Sequence, residues 1–560
     1  MMKELILQRI IYRAKYMALA GLVGALALSR AEAGGEESAE STLVAGAEAT
    51  WKDACIKLIQ RGDEESEKEL KALLLPLAEG GDATAQLVLA VRDRSAYTWY
   101  EKAAAQGNAD ALWIMGLRVT GSPDDAKNAE YWQRAAEAGH VGAQWELACA
   151  ALCGPLEMRL AGAFISSGFT TSDPRPCIEL AEKGHVMATC ALAEYYRRGK
   201  NSAAAAEWSA RAAELGDAAS MQYLARQGME AAEAENEPVV QTGKKKRGRG
   251  RSSKPKKPTL DVSTRPFKAG ANKWEQQLFA AANRGYYLAL LDITQLTSQT
   301  KARIGVYYLA IENLNYRCLE SYVNAQSLAH NANATDREYI MLRDRGFDRG
   351  DKFWSKMESL AQRGHIEAVY DMGIQKESSM RWEDDEEIAA THRAAAIKWY
   401  RQAVQAKHVA AHERLGVLLE DQPKNAKEVF KLYKYAASKD VASAKTRLGK
   451  CYLTGKGTTA DPKKAVKCFS EAAEYWDAAG LYELALCYYH GLGVERDVKK
   501  AQELTERYID IYGFADGFTH SSLGTMWHIK DSRNWQRWDF DPAEPARMNR
   551  DAISLYLLLR

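Results

Sequence analysis

Residues 444–477, AKTRLGKCYLTGKGTTADPKKAVKCFSEAAEYWD, decide the fold. They open with Ala444, Leu448 and Gly449 at i, i+4 and i+5, a narrow helical face that a second helix can approach closely. Gly455 and Gly457 then supply a turn, because glycine takes left-handed backbone angles at little cost. Asp461-Pro462 predicts a new helix start, with Asp as N-cap and Pro at the first helical position, where a missing N–H is no loss. The second helix carries Phe469 and, one turn later, Ala472-Ala473, so bulky rings alternate with small residues that leave them room.

The same grammar recurs outward from this stretch. LCYYHGLGVERDVKKAQELTERY (486–508) repeats the turn and the cap with Gly491, Gly493 and Asp497, and Asn425 with Glu428 has capping-box spacing. The second-helix phrase appears as WYEKAAAQGN (99–108), YWQRAAEAGH (131–140), CIELAEKGH (177–185), WSARAAELGD (208–217), LFAAANRGY (278–286), MESLAQRGH (357–365), WYRQAVQAKH (399–408), LYKYAASKD (432–440) and CFSEAAEYWD (468–477), with a short form ending at Asp82. The first-helix phrase appears as ALWIMG (111–116), AQWELA (143–148), ATCALA (188–193), AVYDMG (368–373) and AHERLG (411–416). Most copies recur at a spacing of about 36 residues, the signature of a helical array. A worn copy is expected around Leu319 to Asn331.

These two phrases, in this order, resemble the Sel-one-like repeat, a relative of the tetratricopeptide helix pair. The likeness covers roughly residues 83 to 512 and is sharpest in 409–508. It implies an all-α fold, a right-handed α/α superhelical solenoid of tetratricopeptide-like helix pairs. Physics points the same way: one pair alone would expose its apolar face, so stacking on neighbours is what stabilises it.

Composition at the ends and in the middle divides the chain. Lys3, Arg9, Arg13 and Lys15 precede the apolar run Met17 to Leu28, and Ala31-Glu32-Ala33 is a small-residue cleavage site, so residues 1–33 are expected to be a signal peptide and the protein periplasmic or secreted. From 229 to 273 the periodicity lapses, and a basic disordered linker is expected between an N-terminal array (34–228) and a C-terminal array (274–512). Its tract Lys244, Lys245, Lys246, Arg247, Arg249, Arg251, Lys254, Lys256 and Lys257 carries nine basic and no acidic residues, while the whole chain is only +2. The folded parts are therefore mildly acidic, unlike a body built to grip nucleic acid. Residues 513–560 are expected to cap the last open face, with Trp527, Trp535 and Trp538 as an alternative aromatic platform.

No catalytic, cofactor or metal site emerges. His140, His185, His365 and His408 share one repeat slot with Asp and Asn, which assigns them to a turn or N-cap. Residues 408–412 read HVAAH and lack the H-E-x-x-H pattern, and phosphate-loop and nucleophile-elbow motifs are missing. Nine scattered cysteines form no C-x-x-C, and Cys451 with Cys468, on the two helices of one repeat, is the first pair to test for a disulfide. The expected function is a non-enzymatic scaffold or adaptor for a protein or peptide partner, which is also what the resemblance implies. Its expected contacts are exposed first-helix residues such as His412, Arg414, Lys445, Arg447 and Lys450. Two alternatives stand beside it: a ligand-binding or hydrolytic envelope protein, and a polyanion or nucleic-acid binder working through the basic tract. Some cysteine-rich bacterial relatives in the resembled family are linked to penicillin binding, but their bridging slots hold alanines here, such as Ala472 and Ala479.

Overall fold

A computed structural model of the chain describes residues 42–92, 97–118, 125–153, 173–199, 201–236, 272–284, 286, 289–290, 292–293, 332–344, 351–381, 383, 385–512 and 543–560. The expected signal peptide, the basic tract, the worn copy and the three tryptophans of 527–538 lie outside these residues. The regular elements among the described residues are all helices, with no strand.

They fall into two compact units. The first contains α1 (Thr42–Arg61), α2 (Glu64–Glu79), α3 (Ala83–Arg92), α4 (Tyr97–Ala105), α5 (Ala109–Arg118), α6 (Asp125–Glu137) and α7 (Val141–Cys153). The second contains α8 (Arg175–Glu182), α9 (Val186–Arg198), α10 (Ser202–Glu214), α11 (Ala218–Asn236), α12 (Lys273–Asn283), α13 (Ala334–Asp344), α14 (Asp351–Gln362), α15 (Ile366–Arg381), α16 (Glu386–Gln405), α17 (Val409–Leu419), α18 (Ala426–Ala437), α19 (Ala442–Thr454), α20 (Pro462–Glu474), α21 (Ala478–His490) and α22 (Val498–Tyr512). The last helix, α23 (Ala543–Leu559), belongs through Ala546–Arg560 to the first unit. Within each unit, helices that follow one another in sequence pack together, so the chain is an all-α solenoid of helix pairs.

The small-against-large pairing has a direct geometric basis. A Cβ placed on Gly449 of α19 would sit 2.5 Å from a ring carbon of Phe469 on α20. Gly116 meets Trp132 in the same way, Gly373 meets Tyr400, and Gly416 meets Tyr433, each ring coming from the second helix of the pair. All four rings are buried to within 1%. The turn glycines divide the labour. Gly455 closes α19 in the left-handed region at φ 75°, while Gly457 at φ 76° presses against the backbone of Ala426, the first residue of the preceding pair's second helix. Close approach between repeats therefore adds a second demand for glycine at the same turn.

Each repeat junction is an interlock. In α6, the His140 N–H reaches Ala135 O at 2.9 Å and the Gly139 N–H reaches Ala136 O at 2.9 Å, the paired bonds of a Schellman ending. The same His140 then caps α7, so one residue ends one helix and begins the next. One copy departs from the sequence reading: Asp440, aligned with the capping slot, occupies the left-handed glycine position at φ 58°, and Val441 precedes α19 with no side-chain cap.

Contacts within the described residues divide the chain at other places than two of the expected boundaries. Helices α11 and α12 pack on each other across the 237–271 segment, Gly228 lies against Trp274, and Arg226 holds Asp292 at 2.6 and 2.9 Å. The basic segment is thus an insertion within one helix pair, and the units divide near residue 168 instead. The physical reason is that closing a long loop costs only about 0.6 kcal/mol per doubling of length, less than the pair gains by burying its faces. Of the expected cap, residues 513–560, the described helix α23 sits with the first unit through Ala546–Arg560.

Candidate binding surface

The histidine slot does what the sequence assigns to it. His140, His185, His365 and His408 each accept, through Nδ1, the backbone N–H three residues on, at 3.1 to 3.2 Å. Asp82, Asn108, Asp217 and Asp477 make the equivalent bond in their repeats. An accepting Nδ1 leaves the proton on Nε2, and there each histidine faces an acid: Asp110 for His140 at 3.0 Å, Asp336 for His365 at 3.1 Å, Glu367 for His408 at 3.2 Å and Asp510 for His185 at 3.5 Å. Three of these acids lie in the first turn of the preceding first helix, so the caps also stitch successive repeats. In His140, His365 and His408 both ring nitrogens are engaged in structural hydrogen bonds.

Protonating Nδ1 would remove the cap, which sets a pH dependence. Burial pulls the His185 pKa down from 6.5 to about 4 and lowers those of His365 and His412 as well. An unfolded chain then binds more protons than the folded one between those values, so stability is complete above pH 6.5 and declines as pH falls towards 4. The expected decline from His185 is about 1.4 kcal/mol per pH unit in that window. Urea denaturation at pH 7.5, 6, 5 and 4.5 checks it: the midpoint should fall with pH, and His185→Asn should flatten the slope.

The basic first-helix residues expected at a partner surface are mostly inside. His412 is 7% exposed and stacks on Tyr435, Arg414 is 8% exposed, and Lys445 is 6% exposed. Lys445 bonds Asp440 at 2.9 Å and Glu471 at 3.2 Å. Half-buried Arg447 pairs with Glu420 at 3.0 Å, and only Lys450 is exposed, pairing with Glu483 at 2.9 Å. A repeated motif explains the burial. Tyr400 donates to Glu377 at 2.6 Å while Arg414 bonds the same carboxylate at 3.3 Å; Tyr433 donates to Glu420 at 2.5 Å while Arg447 bonds it at 3.0 Å. Tyr339 and Arg343 both hold Asp371. Burial and the adjacent Glu377 charge push the Tyr400 phenol up; burial disfavours the Arg414 cation, yet Glu377 holds its pKa above the ordinary value. These residues were expected to be exposed because their helical face was read without the carboxylates that neighbouring repeats would bring.

A different surface is occupied. In the first unit, α23 makes polar contacts with the first helices α3 and α5. Arg92, at the end of α3, bonds Asp551 at 2.8 Å and Ser554 at 3.4 Å, and it is also held by Glu67 of α2. Asp110, in the first turn of α5, receives Tyr556 OH at 3.1 Å, Arg560 at 2.8 Å and His140 Nε2 at 3.0 Å. Residues 551–559 are all buried, on every side of the helix. Although burial works to raise it, the Asp110 pKa is held below the usual carboxylate range by His140 and Arg560. Nothing in the composition of Pro545 to Arg560 singled out α3 and α5 as its seat.

The remaining features are modest. A cleft of about 610 Å³, open to solvent, lies among α10, α11 and α12, lined by Glu214, Met221, Leu224, Lys273 and Trp274 among others. Cys451 and Cys468 are unbridged, and burial pushes the Cys468 thiol up to about 11. Among the described residues no group of three His, Cys, Asp or Glu could hold a metal ion, and no helix is long and apolar enough to cross a membrane.

Comparison with known proteins gives the repeat its name. The Sel1 repeat family model matches residues 89–108, 109–140, 186–217, 393–408, 442–474 and 478–507. Among solved structures, a protective antigen of uropathogenic Escherichia coli displaying an SLR fold is 20% identical, over 86% of this chain and 95% of that one, with a TM-score of 0.31. A Sel1 repeat protein from Oxalobacter formigenes is 24% identical over 33% of this chain and 79% of that one, with a TM-score of 0.28. No curated protein matches. Six stretches of the chain match the Sel1 repeat, and two of them, 109–140 and 442–474, contain the glycine-ring pairs Gly116–Trp132 and Gly449–Phe469 described above.

Proposed function

We propose that the chain is a non-enzymatic scaffold, exported to the cell envelope, whose first-helix face in the N-terminal unit grips helical segments of protein partners. Sel1 repeats generally mediate protein–protein interaction. The single observation that carries the finer reading is α23: a helix seated on α3 and α5, read at one end by the cation Arg92 and at the other by the anion Asp110. Helix-in-groove recognition uses the same elements, apolar burial for affinity and opposite charges for register. Export rests on the basic, apolar and A-x-A order of residues 1–33.

A photocrosslinking amino acid at Val141, the exposed apolar first residue of α7 in the N-terminal unit, tests the reading in cells. The expected result is a discrete protein adduct whose crosslinked residues map to a helical segment, from a chain whose N-terminus is Gly34. Adducts no different from a denatured control, or turnover of a β-lactam by the purified protein, would overturn the scaffold; an intact N-terminus in the cytoplasmic fraction would overturn export alone.

A further inference from the structure

We infer that α23 is a tethered, exchangeable occupant of the α3–α5 face, and that this face accepts in its place a partner helix bearing an acid, a tyrosine and an arginine at the spacing of Asp551, Tyr556 and Arg560. The inference rests on the scaffold reading above and adds to it the ligand chemistry and a mechanism of self-occupation.

The physical basis lies in how the two recognition charges are held. A buried charge that loses its only partner is strongly destabilising, and such a charge would lock α23 in place. Arg92 and Asp110 are not in that position. Arg92 keeps Glu67, whose Oε2 lies 3.0 Å from Arg92 Nε, and Asp110 keeps His140 Nε2 at 3.0 Å. Both of these second partners come from the repeats themselves, so the face retains paired charges whether α23 is present or not. It is pre-organised for a ligand of fixed polarity: acid towards α3, arginine towards α5.

What α23 cannot do is leave without replacement. Ala552, Ile553, Leu555, Leu557 and Leu558 are each no more than 3% exposed, and releasing them to water would cost far more than the polar contacts. Exchange of one helix for another avoids that cost. The intramolecular occupant also has a concentration advantage, since it belongs to the same chain as its seat. A free helix therefore competes poorly until the tether is cut or until its own affinity is high.

The experiment uses the full chain with a protease site inserted between residues 513 and 542, and a fluorescent synthetic peptide of residues 543–560 as probe. Anisotropy should report uptake by the cleaved chain and at least tenfold weaker uptake by the intact one. A peptide carrying Arg560→Gln or Asp551→Asn should bind the cleaved chain at least tenfold more weakly, and these peptide variants leave the protein's own folding untouched. Asp110→Asn in the chain should give the same loss. Equal binding to intact and cleaved chains would overturn the inference while leaving a helix-binding scaffold. Binding to neither, with α23 retained after cleavage on size exclusion, would overturn it by making α23 a fixed part of the core. A cleaved chain that loses its helical circular dichroism signal overturns it for the same reason. Formation of a dimer that exchanges α23 between copies overturns the tether and identifies a second copy as the ligand.

Discussion

Replacing Glu377 with alanine is expected to destabilise the second unit by about 3–5 kcal/mol, the range seen when one partner of a buried ion pair is removed. Glu377 has side-chain exposure of 4% and Arg414 of 10%, so the guanidinium left behind could not recover its hydration. Tyr400, fully buried, would lose the acceptor of its 2.6 Å hydrogen bond in the same step. Urea unfolding followed by tryptophan fluorescence should show the lowered midpoint. The control is the double variant Glu377→Leu with Arg414→Met, which removes both charges and should recover most of the loss. If the double variant is as unstable as Glu377→Ala, the pair's charge is not what matters. Glu420, with Arg447 half-buried beside it, should give a smaller effect because water screens that pair better.

The second large effect concerns the ring that fills the glycine notch. Phe469→Ala should cost about 3–5 kcal/mol, since the ring is 0% exposed and its removal leaves a cavity between α19 and α20. Gly449→Ala should cost about 1–3 kcal/mol through the opposite fault, overpacking against that same ring. The two faults share one space, so they should couple. Gly449→Ala with Phe469→Leu is expected to be more stable than the sum of the single changes by at least 0.5 kcal/mol, as measured by a double-mutant cycle. Strict additivity would mean that the helices part on mutation and that the notch does not set their distance. Gly416 with Tyr433 and Gly373 with Tyr400 provide independent copies of the same cycle.

Some of the molecule was legible without coordinates, for a physical reason that recurs at each position. Helix capping, glycine turns and small-against-large packing act between residues close in sequence, so the pattern Ala444, Leu448, Gly449, the turn at Gly455 and Gly457, and the start at Asp461-Pro462 carried its own geometry. The same locality let the capping role of His140, His185, His365 and His408 be read from a slot they share with Asp and Asn. Locality also explains the misread at Asp440, where an unusual left-handed aspartate takes the place of glycine and shifts the cap by one residue.

What only the tertiary structure decided depends on residues far apart in the chain. Arg414 looks like an exposed cation until Glu377 and Tyr400 arrive from the preceding helices. Trp476 gains a carbonyl partner at Leu215, 2.9 Å away, and His185 meets Asp510, because the second unit brings its early repeats against its late ones. Asp551 finds Arg92 across 459 residues of sequence. Local propensity and periodicity dictated a solenoid of Sel1 repeats by themselves; which charges are buried, where the 237–271 insertion falls within a pair and which face α23 occupies were set by partners that no spacing in the sequence encodes.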